Sequence, residues 1–178
     1  MGGGIAIILV TEYPEVFNGA ILFAPQTSSE ASGVTAMLMR SGIMQTMYSV
    51  VLKFALMFPS VVRSLVEMSF SDKEYASKYD VSRISDPLSI KGTGGGITIM
   101  TSHAEGPDFE KISQLNIPSV VITAKQDKVA NADNLNAIIE SLGNTVTVYE
   151  CEKGGHMMME YDPVLVAEKT LPVMEKCA

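Results

Sequence analysis

The sequence predicts an α/β fold in which helices cover a parallel sheet. Three short runs of apolar and β-branched residues are typical of strands buried on both faces, and helical patterns lie between and after them. The runs cover residues 19–24, 119–124 and 145–149, and about ninety residues separate the first run from the second. Because three strands make a thin sheet, we expect the chain to be the later part of a larger domain of this class.

The composition indicates one globular domain and disfavours several classes of partner. The chain has 178 residues and a net charge of −7, and its basic residues are scattered, so we expect no nucleic-acid partner. Two cysteines do not make a disulfide framework and favour a reducing, cytoplasmic compartment. No basic segment precedes the apolar run 5–10, which is too short to span a bilayer. We expect no metal or other cofactor.

The first predicted element is a helix over residues 5–13. Apolar residues recur there at helical spacing, and Pro14 ends the pattern. The first strand follows over residues 19–24 and is closed by Pro25.

The C-terminal third predicts two further helices. A helix over 132–142 connects the second and third strands, with Gly143 as its C-cap. After the third strand, Asp162 and Pro163 are typical of an N-cap and a first-turn proline. Pro172 predicts a kink or an early end of this last helix. Four residues are predicted to share its apolar face: Val164, Ala167, Leu171 and Met174.

Residues 26–116 contain a long insertion with helical character. Its longest apolar stretch, 43–66, carries Lys53 and Arg63, which favours soluble helices with one apolar face over a membrane span. The stretch Ser71-Asp-Lys-Glu74 predicts a capping box at the start of a short helix. Methionines recur in the insertion, where they serve either core packing between helices or an adaptable apolar lid. Those considered are Met37, Met39, Met44, Met47, Met57 and Met68.

Two residues suited to acid–base chemistry follow the second and third strands. Asp127 comes directly after a buried strand, where parallel sheets place their sites. His156 follows the next strand by a short loop and suits proton transfer near neutral pH. Taken alone, each residue has a plain structural explanation: Asp127 could cap a turn and His156 could be a packing residue. The other histidine, His103, is interpreted as a surface or packing residue. Together, Asp127 and His156 have the order of the orienting acid and the base of a hydrolytic triad.

The N-terminus predicts where the nucleophile of such a triad belongs. A nucleophile elbow reads Gly-x-Ser-x-Gly and is a sharp turn from a strand into a helix. The chain opens with Met1 and three glycines and then enters the first predicted helix. A serine immediately before Met1 would make Gly2 the last glycine of the elbow. We therefore expect the nucleophile at that position and none within the chain.

The order and spacing of these motifs resemble the monoacylglycerol lipase and lysophospholipase group of α/β-hydrolases, of the serine aminopeptidase S33 type. The resemblance covers nearly the whole chain and is loosest in the insertion. One departure is Ala124, where the group often has glycine before the acid. The motifs that carry the resemblance are Met1-Gly-Gly3, Gly19–Pro25, Ser85-Asp-Pro-Leu88, Ile117-Pro118 with the following strand and Asp127, and Gly155-His156.

The resemblance implies the C-terminal part of an α/β-hydrolase fold, a single partial domain over 1–178 whose helical cap or lid lies within 26–116. It implies that Asp127 orients His156, that His156 is the base toward the absent serine, and that the backbone N–H of Met1 is one oxyanion-hole donor. The implied substrate is a small lipid or other ester, with peripheral membrane contact through the lid. Without the serine, the chain alone is expected to be inactive, because losing the nucleophile costs about a millionfold in rate.

Other interpretations compete with a lipid-ester hydrolase. A catalytically inactive remnant would act as a binding or interaction module. An aspartate nucleophile, as in epoxide hydrolases, suits the sequence Met-Gly-Gly less well than serine. A phosphate loop at Gly2–Gly4 is disfavoured because it needs a preceding strand and an acidic residue about twenty positions later. An unpaired sheet edge also predicts that the isolated chain associates with itself or aggregates.

Overall fold

The computed structural model describes residues 2–26, 41–102 and 108–177. Four residues named above lie outside these ranges, namely Met1, Met37, Met39 and His103.

The described residues form two compact units. The helical unit comprises residues 41–67 and 74–102, and both stretches lie inside the predicted insertion. The sheet unit comprises residues 2–26 and 108–177 together with the short segment 68–73. A piece from the middle of the insertion therefore belongs to the unit that contains the sheet. The assignment of 1–178 to a single partial domain stays a prediction.

The sheet has three parallel strands in the order β1-β2-β3, which confirms the predicted parallel sheet. The strands are Ala20–Phe23 (β1), Ser119–Ala124 (β2) and Val146–Cys151 (β3). Every residue of β2 is buried, as a central strand covered on both faces requires. The predicted bounds of β2 are confirmed, whereas β3 starts one residue later and ends two residues later than its predicted run.

The helices include those predicted at the N-terminus, after Asn131 and after Asp162. Side chains of Asn131 and Asp162 accept hydrogen bonds of 3.0 Å from the third backbone N–H that follows each of them, so both are N-caps. Gly143 ends its helix with φ +56°, as predicted for a glycine C-cap. In chain order the helices are Gly2–Glu12 (α1), Gly42–Leu56 (α2), Pro59–Ser69 (α3), Lys73–Lys78 (α4), Ser82–Ser89 (α5), Thr93–Ser102 (α6), Phe109–Ser113 (α7), Ala132–Leu142 (α8), Met158–Tyr161 (α9) and Pro163–Cys177 (α10), with 3-10 turns at Pro14–Val16, Gly143–Thr145 and Gly155–Met157.

Each face of the sheet has its own core cluster. Side chains alternate along β2, so Val121 joins one cluster while Val120 and Ile122 join the other. Helices α1, α7 and α8 contribute to the first cluster, and α9 and α10 to the second. The helical residues involved are Ile7, Val10, Ile112, Leu135, Ile138 and Leu142 on the first side, and Met158 and Val166 on the second.

The predicted apolar face of α10 is wrong. Val164, Leu171 and Met174 are 67%, 50% and 55% exposed, whereas the buried residues of the helix are Val166 and Thr170. The helix carries two apolar stripes, and helical spacing alone does not say which stripe meets the sheet.

Pro172 does not end α10, which continues to Cys177. Val173 packs against the second core cluster directly after the proline. This contact on the C-terminal side of Pro172 favours continuing the helix despite the backbone N–H that the proline lacks.

In the helical unit, α2 and α6 pack closely at Gly94. A Cβ added to Gly94 would lie 2.6 Å from Ser49 Cα, whereas a Cβ on Gly96, in the same helix, would meet nothing within 4 Å. We expect Gly94→Ala to destabilise the chain by about 2 kcal/mol and Gly96→Ala to stabilise it by up to about 1 kcal/mol. Urea unfolding followed by circular dichroism measures both, and midpoints that shift in the same direction would contradict the close packing.

Within the described residues, no single helix is long and apolar enough to cross a membrane. The pair Gly42–Leu56 and Pro59–Ser69 meets the length and composition criteria when taken together, with a bend of 95° between the two helices.

Candidate active site

The structure brings Asp127 and His156 together at one edge of the sheet. The Nδ1 atom of His156 lies 2.9 Å from Oδ2 of Asp127. The carboxyl ends of neighbouring parallel strands meet at the same edge, so the loops that follow β2 and β3 place these side chains next to each other. The Asp127 side chain is only 4% exposed and that of His156 is 31% exposed. The pair is therefore shielded on the acid side and open to solvent on the histidine side.

Asp127 divides its two carboxylate oxygens between its own loop and the histidine. Its Oδ1 accepts hydrogen bonds from the backbone N–H groups of Val129 and Ala130, at 2.8 and 2.9 Å. Its Oδ2 faces His156. The turn-capping and the histidine-orienting interpretations of Asp127 are thus compatible, because each uses a different oxygen.

The surroundings of Asp127 favour its ionised form. Burial raises the pKa of Asp127, but the hydrogen bond from His156 and those from the N–H groups of Ala130 and Val129 outweigh it. The net pKa lies below the ordinary value for aspartate. At neutral pH the carboxylate is therefore charged and able to accept a hydrogen bond from Nδ1–H of the imidazole.

We expect a pH-dependent contribution of Asp127 to stability. Since folding lowers its pKa, the carboxylate stabilises the fold at pH values above the ordinary aspartate pKa of about 4, and this contribution is lost as the pH falls through the lower folded-state value. Asp127→Asn should therefore be less stable than the wild type at pH 7. This gap in unfolding free energy between the two proteins should narrow below about pH 4. Thermal unfolding between pH 7 and pH 3 measures the gap, with Asp133→Asn, at an exposed position in α8, as the control for a lost charge. A gap of constant size over this range would contradict the prediction.

Gln26, which sequence reasoning missed, ties the loop of Asp127 to the end of β1. Its side-chain amide makes two hydrogen bonds to the backbone of Asn131, accepting from the N–H at 2.9 Å and donating to the carbonyl at 3.2 Å. Ala24, two residues earlier, has φ +38°, an uncommon conformation for a residue with a Cβ. A polar residue directly after the Pro25 that closes a strand was the signal available in the sequence.

The loop of His156 depends on two glycines. Gly154 has φ +100° and Gly155 has φ +59°, a left-handed region that favours glycine. These residues turn the chain from β3 into the 3-10 turn Gly155–Met157, which contains the histidine. Because Nδ1 faces Asp127, Nε2 is the ring nitrogen left to take a proton from a nucleophile or to donate one to a substrate.

The N-terminus of α1 lies at the same edge of the sheet. A Cβ on Gly3 would be 2.8 Å from Cα of Pro25, which follows the carboxyl end of β1. Glycine at this position allows the start of the helix to approach that strand end closely. Met1 lies outside the described residues, so its proposed role in an oxyanion hole stays a prediction, as does the serine before it. Within the described ranges, no group of three or more His, Cys, Asp or Glu side chains could hold a metal ion.

A known family and several solved structures are similar to this chain. Residues 1–163 match the family described as serine aminopeptidase, S33. No curated protein matches the sequence at a significant level. Among solved structures, BpoC from Mycobacterium tuberculosis H37Rv, assigned as a non-heme bromoperoxidase, matches with a TM-score of 0.69 and 15% identity over 99% of this chain. A thermophilic esterase from Thermogutta terrifontis matches with a TM-score of 0.68 and 14% identity over 99% of this chain. A bacterial membrane phospholipase A matches with a TM-score of 0.68 and 13% identity over 98% of this chain.

The chain spans only part of these proteins, namely 64% of BpoC, 62% of the esterase and 54% of the phospholipase. At these identities the structural likeness shows the fold, and it agrees with the parallel sheet and flanking helices described above. The family match, in contrast, covers most of the sequence. The chain belongs to the serine aminopeptidase S33 family of α/β-hydrolases.

Proposed function

We propose that the chain is the C-terminal part of a serine hydrolase of carboxylic esters whose nucleophile stands immediately before Met1. The observation that carries this proposal is the hydrogen bond between Asp127 Oδ2 and His156 Nδ1. The loop of Asp127 is already satisfied through Oδ1, so it does not need the histidine. The proposal is also supported by the family match and by the chain's partial coverage of its structural neighbours.

The mechanism follows from the two ring nitrogens of His156. Asp127 accepts a hydrogen bond from Nδ1–H and so orients the ring, while Nε2 takes the proton of the serine hydroxyl as the serine oxygen attacks the ester carbonyl. Nε2 then donates that proton to the leaving alcohol. A water molecule next attacks the acyl-enzyme, with His156 again taking the proton and then returning it to the serine. The backbone N–H of Met1, the residue before Gly2 in the sequence, would donate to the developing oxyanion.

We further propose that the substrates are lipid esters such as monoacylglycerols or lysolipids. The enzyme would act on them in the cytoplasm or at a membrane surface. The motif resemblance supports this class, and α2 exposes many apolar side chains that would suit acyl chains. A small aromatic ester is the competing substrate class.

Peripheral contact of the insertion with a lipid surface is expected to depend on α2. Ile43 and Phe54 are 81% and 62% exposed, which is unusual for large apolar side chains in one helix. Replacing both by serine should weaken co-sedimentation with phosphatidylcholine vesicles by about tenfold or more, because each buried apolar side chain contributes about 1.5–3 kcal/mol. Val16→Ser is the matched control, since Val16 is 67% exposed in the sheet unit. Equal loss in the control and in the double variant, or no loss in either, would contradict the membrane contact.

The first experiment on the proposed function is to sequence the transcript upstream of the Met1 codon. A continuous frame that encodes Gly-x-Ser directly before Met1 would support the proposal. The longer protein would then be assayed on p-nitrophenyl esters with acyl chains from acetate to palmitate, and a preference for long chains would support a lipid substrate over a small one.

A stop codon just upstream, in the same frame, would overturn the proposed catalysis for this gene product. The competing interpretation would then hold, in which the chain is an inactive remnant that serves binding or interaction, and the pairing of Asp127 with His156 would be inherited from an active ancestor. The same interpretation would follow if the longer frame lacked an elbow nucleophile.

A further inference from the structure

The loop that carries His156 is bonded to residues 69–72, a short segment from the middle of the insertion. The backbone N–H of Gly154 donates to Oγ of Ser71 at 3.0 Å. The phenol hydroxyl of Tyr161 donates to Oδ2 of Asp72 at 3.0 Å. The first bond joins residues that are 83 positions apart in the sequence, and the second joins residues that are 89 positions apart. They attach the chain on both sides of the histidine, two residues before it and five residues after it.

The backbones of the loop and of this segment are also in close contact. A Cβ on Gly155 would lie 2.6 Å from the carbonyl oxygen of Ser69 and 2.9 Å from the backbone nitrogen of Ser71. Phe70, between them, is only 1% exposed. The two glycines before His156 give the loop conformational freedom. The contacts with residues 69–72 restrict that freedom at the residue directly before the histidine.

The role of Ser71 differs from the one that its sequence context predicts. The capping-box pattern assigns its hydroxyl to the start of the following helix. In the structure α4 begins at Lys73, and the Ser71 hydroxyl accepts the hydrogen bond from Gly154 instead. The Ser71 hydroxyl is therefore part of a contact between segments that lie far apart in the sequence.

We propose that Ser71 and Asp72 are positioning residues for His156. Ser71 holds the backbone before the ring, and Asp72 holds α9, which follows the ring, through Tyr161. Their combined effect keeps Nδ1 of His156 within hydrogen-bonding distance of Asp127. This inference rests on the proposed function of His156 as the catalytic base, where a displacement of about 1 Å can cost about a hundredfold in rate.

The test observes the ring of His156 directly and does not depend on activity. The chain has only two histidines, so His103→Gln identifies the Nδ1 proton resonance of His156 in NMR spectra. We expect Ser71→Ala to increase the rate at which that proton exchanges with water by about fivefold, or to abolish its signal. An effect of this size is what the loss of one hydrogen bond predicts. Ser71→Thr keeps the hydroxyl and should restore the signal. Ser113→Ala, which removes an exposed serine hydroxyl of α7, is the matched control and should change nothing.

An unchanged Nδ1 resonance in a folded Ser71→Ala variant would overturn the proposal, even if the variant were less stable. If that variant does not fold, Tyr161→Phe decides, because it removes only the hydroxyl that donates to Asp72. An unchanged resonance in Tyr161→Phe would then count against the proposal, and a faster exchange would support it. A longer protein without esterase activity would refute the proposed function but would leave this result valid for the geometry of the pair.

Discussion

Replacing His156 by glutamine in the longer protein is expected to lower kcat for ester hydrolysis by about 10⁶-fold, the loss typical of removing a triad member that acts on the nucleophile. Glutamine is similar in size but cannot take the serine proton and return it to the leaving alcohol. Asp127→Asn should cost about 10⁴-fold, because the ring keeps its place but loses the acceptor that selects the correct tautomer. Initial rates on a p-nitrophenyl ester measure both variants.

His103→Gln is the control for this pair, because it removes the only other histidine of the chain and should leave the rate within a factor of about two. The 178-residue chain should itself be as inactive as His156→Gln in the longer protein. Substantial hydrolysis by the His156 variant would show that the base is a different residue, and it would remove the main support for the proposed mechanism.

The largest expected effect on stability is that of Gly155→Ala. Its Cβ would lie 2.6 Å from Ser69 O and 2.9 Å from Ser71 N, which are backbone atoms that cannot rotate away. The backbone at Gly155 also has φ +59°, where any side chain adds strain. We expect a loss of about 3–5 kcal/mol, since a steric clash and conformational strain act together. The shift of the urea midpoint measures this loss.

Gly143→Ala separates the two causes. Gly143 has φ +56°, nearly the same as Gly155, but a Cβ there would meet nothing within 4 Å. Its replacement should therefore cost only the conformational strain, about 1–3 kcal/mol, and less than the replacement of Gly155. Similar losses in both variants would indicate that the contact between the His156 loop and Ser69 yields easily, which would also weaken the case for Ser71 and Asp72 as positioning residues.

Local patterns in the sequence were sufficient for the parts of the fold that depend on neighbouring residues. The run Ser119–Ala124 is apolar throughout because its strand is buried on both faces, so its bounds could be predicted. The caps Asp162 and Gly143 were predictable for the same reason, since a cap interacts with residues three or four positions away. The order of Asp127 and His156 after successive strands also followed from the sequence, because parallel strands bring their carboxyl ends to one edge.

Only the tertiary structure decided which contacts form between segments far apart in the chain. Helical spacing marked one apolar face of α10, but the sheet packs against the other, because periodicity shows that a stripe exists and not which partner it meets. Ser71 had the pattern of a local cap, yet its hydroxyl bonds to Gly154, 83 residues away. The local sequence around Ser71 and Gln26 does not identify their partners, since these come close only after the chain has folded. The sequence by itself thus determined the strands, the caps and the acid–histidine pair, while folding decided how that pair is held.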